Sequence, residues 1–274
     1  MDLKLRGHAV LVTGSSRGIG RDIALGFARE GALVAICGRD QKQLQATKAE
    51  VEAIGAQCHA MIVDLSNGDD CARVVNETAS HFGRLDTLVN NASTSVDRTP
   101  NSLEDATDDQ LLARVVGKAM VAVRCSRAAL GHMRRVAGGR IVMIGGLSAR
   151  TVVRGDEAMA PGSTLPQGLG NASLANFTKF LSEEVAKDNI AVNIVHPHFT
   201  RTGRFPARLT QYAQDRGISE AKAEAQLISH MPIGRLIDPS DITPIVLMLG
   251  SPMVGAITGQ SIAVDGGAMR GVVY

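Results

Sequence analysis

Seven short apolar runs, at residues 8–13, 32–37, 57–63, 87–90, 139–144, 191–195 and 261–264, alternate along this chain with amphipathic stretches at 18–29, 41–54, 69–82, 108–135, 169–187 and 240–249. No other feature constrains the fold as much. A strand followed by a helix of this length returns to pair parallel with its predecessor, so the alternation specifies βαβ units on a mostly parallel sheet. Several of the runs are continuously apolar, as suits strands covered on both faces. The expectation is an α/β fold with a doubly wound parallel sheet flanked by helices, one domain over residues 1–274.

Two segments break the rhythm. Residues 147–167 are rich in Gly, Pro, Ser and Thr, and residues 199–232 contain one helical stretch, at 220–229. Both follow the C-terminal ends of strands, where open α/β sheets bind ligands. They are expected to form the pocket walls, the second as a substrate lid after the sixth strand. Aromatic residues are 3% of the chain, with no Trp and two Tyr, so the core must be aliphatic. A net charge of +2 offers no electrostatic footprint for nucleic acid or an anionic membrane. Cys37, Cys58, Cys71 and Cys125 lack zinc-like spacing and read as reduced core residues. No apolar run approaches the ~20 residues of a membrane helix, and the opening residues have no signal-peptide character. We expect a cytoplasmic protein, with no membrane or nucleic-acid partner and no metal.

After the first run comes Thr13-Gly14-Ser15-Ser16-Arg17-Gly18-Ile19-Gly20, followed by a helix. Glycines there permit a tight turn and close backbone approach. The helix offers unpaired N–H groups and the positive end of its dipole to a pyrophosphate. The spacing T-G-x-x-x-G-x-G resembles the short-chain dehydrogenase/reductase family, whose fold is of Rossmann type. Asp64, Asn90-Asn91-Ala92-Ser93, Pro232-Ile233-Gly234-Arg235, Asp238-Pro239-Ser240-Asp241-Ile242 and Thr258-Gly259-Gln260 with Val264-Asp265-Gly266-Gly267 extend the resemblance in order over most of the chain. It implies dinucleotide contacts from Gly14, Ser16, Arg17, Gly18, Ile19, Gly20, Asp64, Leu65, Asn91, Ala92, Pro197 and Thr202. It also implies association as a homodimer or homotetramer through the long fourth and fifth helices.

The end of the second strand separates NAD(H) from NADP(H). An acid there would hold the ribose hydroxyls and repel a 2′-phosphate. The position is Gly38, followed by Arg39, and Arg17 lies in the phosphate loop. Two guanidiniums suit a phosphate dianion, so NADP(H) is favoured over NAD(H). A slip of two positions would place Asp40 there and restore an acid.

The family's Asn, Ser, Tyr and Lys, which polarise and protonate a carbonyl, have no counterparts at the matching positions. Gln167 stands at the Tyr position, Asn171 at the Lys position and Gly146 at the Ser position, with Ser148 two residues on. The Asn position falls at or beside Lys118. His198 replaces the glycine of a P-G motif, near where the reactive face would lie, and histidine titrates near neutrality. Lys118, His198 and Ser148 are therefore the candidate catalytic residues. The pocket loops carry Arg150, Arg154, Asp156 and Glu157, then Arg201, Arg204 and Arg208; the three later arginines would meet an anionic substrate or simply be solvated. Three readings remain open: an NADP(H)-dependent oxidoreductase with a rebuilt site acting on a small molecule, a catalytically silent nucleotide-binding sensor or partner subunit, and a non-redox lyase or isomerase.

Overall fold

The computed structural model describes residues 1–94, 102–152 and 165–271. Its centre is a seven-stranded sheet in the order β3-β2-β1-β4-β5-β6-β7, with every neighbouring pair parallel. The strands are β1 (Ala9–Val12), β2 (Leu33–Gly38), β3 (Cys58–Ile62), β4 (Thr87–Asn90), β5 (Gly139–Ile144), β6 (Ile190–Pro197) and β7 (Ser261–Val264). Side chains of β1 show why its sequence is continuously apolar. Val10 and Val12 enter the core on one face and Leu11 the core on the other, and all three are fully buried.

The first core holds α1 (Gly18–Arg29), α2 (Gln41–Ala53) and α9 (Pro239–Gly250). The second holds α3 (Gly68–Phe82), α5 (Val121–Arg135) and α6 (Leu165–Val185). Local chemistry sets several boundaries. Helix α3 stops at Gly83, which takes the left-handed conformation (φ +73°) that closes a helix cheaply only in glycine. Helix α9 starts with Pro239, and the Asp241 carboxylate reaches back to accept the Asp238 N–H at 2.8 Å.

Three boundaries differ from the sequence pattern. Residues 108–135 are not one helix. Helix α4 (Asp108–Val115) passes through a π turn, Val116–Met120, into α5. Hydrophobic periodicity does not register one extra residue in a turn. Helix α6 begins at Leu165, inside the stretch expected as loop, with Pro166 in its first turn where a missing N–H costs nothing. Residues 199–232 carry two helices rather than one: α7 (Phe205–Arg216) and α8 (Glu220–Ser229). Phe205, Leu209, Tyr212 and Ala213 give α7 a helical apolar stripe, and Gly217 ends it at φ +62°. That stripe is buried in the first core, so the segment is packed onto the domain.

Candidate active site

Strand order reverses between β1 and β4, and there a groove of about 600 Å³ opens at the C-terminal edge of the sheet. One wall is the turn after β1. Gly14 has φ +64°, and a Cβ there would lie 2.9 Å from the Ala92 Cα. A Cβ on Gly20 would collide with the Asn91 side chain and lie 2.5 Å from the Gly14 carbonyl oxygen. Asn91 locks this turn: its Nδ2 donates to the carbonyls of Thr13 (2.9 Å) and Gly14 (3.0 Å). Thr13 Oγ1 accepts the N–H groups of Asn91 and Ala92, each at 3.0 Å. Arg17 is extended at the N-cap of α1 and makes no side-chain cap. The first turn of α1 therefore meets the groove with its N–H groups uncapped by a side chain.

At the far end, Gly38, Arg39 and Asp40 line the groove. Asp40 is the N-cap of α2, its Oδ1 accepting the Gln43 N–H at 3.0 Å. The carboxylate is thus engaged with its own helix. Arg17 and Arg39 have no carboxylate partner among the described residues. Asp64 Oδ1 accepts the Ser66 N–H at 3.1 Å, while its own N–H donates to Asp70.

The inner end abuts the π turn, because Thr94, a groove residue, donates its N–H to the Gly117 carbonyl at 2.9 Å. Lys118, on that turn, points its Nζ at the Gly145 carbonyl oxygen, 3.4 Å away. Burial, with a smaller contribution from Arg114, pulls its pKa down to about 8. Asn171, from α6, donates through Nδ2 to Ser148 Oγ at 2.9 Å. Its Oδ1 is buried with no hydrogen-bond partner among the described residues. A Cβ on Gly146 would lie 2.8 Å from Asn171 Nδ2, so the small residue and the amide fit together. Gln167 lies one turn earlier on the same helix.

Behind this cluster His196 is fully buried. Its Nδ1 is 3.0 Å from the Gly146 carbonyl and its Nε2 is 2.9 Å from Ser261 Oγ. Burial, the largest cause, pulls its pKa down to about 4, so the ring is neutral at pH 7. A carbonyl can only accept, so Nδ1 carries the proton and Nε2 accepts from Ser261. This pins the backbone at Gly146. No role for His196 was read from the sequence.

The residues named from sequence fall into place as follows. Gly14, Ser16, Arg17, Gly18, Ile19, Gly20, Arg39, Asp64, Leu65, Asn91, Ala92 and Thr202 all line the groove. Pro197 does not; it ends β6 opposite Val264. Lys118, Gly146, Ser148, Gln167 and Asn171 surround the C-terminal end of β5 and the first turns of α6. His198 follows β6, its ring stacked on Phe199 at 4.3 Å. Arg201 is bonded to Glu224 at 2.7 Å, and Arg204 lines the groove. Arg150 donates to the Ser261 carbonyl, whereas Arg154, Asp156 and Glu157 lie outside the described residues. Two site features were not anticipated, the π turn under Lys118 and the capping role of Asp40. The second had a signal, an Asp followed three residues later by Gln.

Residues 14–269 match the family model for enoyl-(acyl carrier protein) reductase. A 3-oxoacyl-(acyl-carrier-protein) reductase of rhamnolipid biosynthesis from Pseudomonas aeruginosa is 31% identical, with 96% of each chain covered. The NADPH-dependent reductase BacG of Bacillus subtilis is 27% identical, over 97% of this chain and 99% of that one. Among solved structures, L-sorbose reductase from Gluconobacter frateurii, complexed with NADPH and L-sorbose, superposes with a TM-score of 0.89 at 29% identity, covering 99% of this chain and all of that one. The chain belongs to the short-chain dehydrogenase/reductase family, and its relatives are oxidoreductases. Among the described residues no helix is long and apolar enough to cross a membrane.

Proposed function

We propose that this chain is an NADP(H)-dependent oxidoreductase acting on a small carbonyl or imine compound, with Lys118 holding the proton that the substrate takes up. The observation that carries the reading is the arrangement at the ribose end. Asp40 is turned into α2, while Arg17 and Arg39 line the groove without a carboxylate. The tight turn, in which a Cβ on Gly14 would strike Ala92 and one on Gly20 would strike Asn91, and the open first turn of α1 fit a dinucleotide pyrophosphate. The two guanidiniums fit a further phosphate. The relative BacG is NADPH-dependent, and L-sorbose reductase was crystallised with NADPH, which supports the same choice here. Bound, such a cofactor supplies or accepts a hydride.

What remains for the chain is to orient the substrate and move a proton. Lys118 is still mostly protonated at pH 7, and its pKa of about 8 lies close to working pH, where general acids are most effective. Its ammonium donates to the developing alkoxide or amide and is reprotonated from solvent. The buried Asn171 Oδ1 accepts from a substrate hydroxyl or a water, and Ser148 holds that amide in place. Support for a site without the usual tyrosine comes from Tyr212, which is fully buried in α7. Tyr274 lies outside the described residues.

A second reading, nucleotide binding without turnover, is favoured by one observation: Ser148 Oγ is already engaged by Asn171 Nδ2. NADPH consumption over a panel of ketones, enones and imines, between about pH 6 and 10, separates the two. Reduction dependent on Lys118 falls as pH rises through about 8, and the oxidative direction rises there. Tight NADPH binding with no turnover across the panel would leave the second reading.

For self-association, Leu112 on α4, Val116 on the π turn and Leu169 and Phe180 on α6 expose large apolar surface on helices that pack together. We propose that a second copy covers this face. Phe180→Asp should then lower the mass measured by light scattering.

A further inference from the structure

We propose that Arg204 is a third phosphate ligand of the dinucleotide, completing with Arg17 and Arg39 a cage whose third wall is the segment between β6 and α7. This rests on the NADP(H) reading and adds to it a residue outside both cofactor motifs.

The arginines of this segment differ in how they are spent. Arg201 is bonded to Glu224 at 2.7 Å and sits over the Phe205 ring, 5.7 Å from its centroid. Arg216 lies over the Tyr212 ring at 4.0 Å. Arg204 has neither kind of partner among the described residues, and it lines the groove together with Arg17 and Arg39. Its electrostatic neighbours are Arg17, Arg208 and Arg39, which add to burial in making its charged form harder to hold. Neither groove carboxylate is bonded to an arginine of this cluster: Asp40 caps α2 and Asp64 accepts from the Ser66 N–H. Like charges gathered around one concavity repel, and a polyanion placed between them removes the repulsion.

The backbone holds Arg204 in range. Thr202, two residues earlier, lies over Gly18, where a Cβ would be 3.5 Å from the Thr202 methyl. The segment is tied at its root by Arg201 N–H to the Ile237 carbonyl (2.7 Å) and Ile237 N–H to the Phe199 carbonyl (3.2 Å). Beyond it, Phe205 and Leu209 are buried in the core. Arg204 is therefore presented from an anchored support, so little backbone ordering opposes its contact with phosphate.

The test is calorimetric titration of the full-length wild type, Arg204→Gln and Arg204→Lys with NADPH, NADH, ADP and 2′,5′-ADP, at low and high salt. Arg204→Gln should weaken NADPH roughly tenfold or more, with a shallower dependence on salt, and Arg204→Lys should recover part of the loss. An equal loss for ADP assigns the contact to the pyrophosphate. A loss confined to 2′,5′-ADP and NADPH assigns it to the 2′-phosphate. Hydrogen exchange of α7 should slow on NADPH binding in the wild type and not in Arg204→Gln. If the wild type prefers NADPH and Arg204→Gln matches it within about twofold at low salt, the third ligand is refuted while the Arg17–Arg39 reading stands. A wild type that binds neither dinucleotide, or prefers NADH, overturns both.

Discussion

The two ends of the groove are built on opposite principles. The nucleotide end is mostly backbone: glycines without room for a Cβ, an open helix terminus, and Asn91 and Thr13 bracing the turn. Its charges are additions to a frame that would stand without them. The chemical end is mostly side chains that depend on one another. Gly146 leaves the space that Asn171 occupies, Asn171 holds Ser148, His196 pins the Gly146 carbonyl, and Lys118 leans on Gly145. A frame of backbone tolerates changes in side-chain charge and fails on added volume. A cluster of interlocking side chains is sensitive to both.

The contrast is broken most directly at Gly20. Gly20→Val forces atoms into the Asn91 side chain and the Gly14 carbonyl, and should abolish measurable NADPH binding, an effect on the order of a hundredfold or more. Retained binding in a folded Gly20→Val protein would mean the backbone frame is looser than described. At the other end, Lys118→Met should reduce turnover by about a hundredfold while the NADPH dissociation constant stays within about threefold. A parallel loss of cofactor affinity would show that the two ends are not separable.

His196 sharpens the comparison through pH. Its folded pKa, about 4, lies below the ordinary histidine value, so the unfolded chain binds the extra proton first as pH falls. Stability is fully present above about pH 6.5 and declines as pH falls towards 4, by about 3 kcal/mol in all. His196→Gln should flatten urea-denaturation stability across that window. Arg39→Ala should cost NADPH about tenfold in affinity and leave NADH nearly unchanged, as expected of a charge added to an intact frame. The smallest effect is the most diagnostic of interlocking. Gly146→Ser should destabilise by about 1 kcal/mol, and much of that cost should vanish in an Asn171→Ala background. Strict additivity would remove the coupling between these positions.

Legibility follows the same division. The parallel sheet, the glycine turn and the residues lining the nucleotide end were readable, because each depends on short-range pattern: apolar runs, a glycine where φ is positive, a helix directly after a strand. The cap at Asp40 had a signal of the same kind, since its carboxylate bonds the N–H of a residue only three positions away. Helix α7 was also written locally, in the spacing of Phe205, Leu209 and Tyr212, but the segment's glycines and prolines masked it. The π turn was not legible, since inserting one residue in a helical turn leaves no mark on hydrophobic periodicity.

By itself, the sequence determined a parallel α/β sheet with a glycine turn after β1 and two arginines, Arg17 and Arg39, beside the groove. Those features rest on residues adjacent in the chain, where local geometry and covalent spacing dictate the outcome. Only the tertiary structure decided that Lys118 loses part of its proton affinity, that His196 is neutral and structural, and that Arg204 shares a groove with Arg17. Burial, pKa and charge clustering arise from groups brought together across the fold, and the dielectric they experience exists only once it has closed.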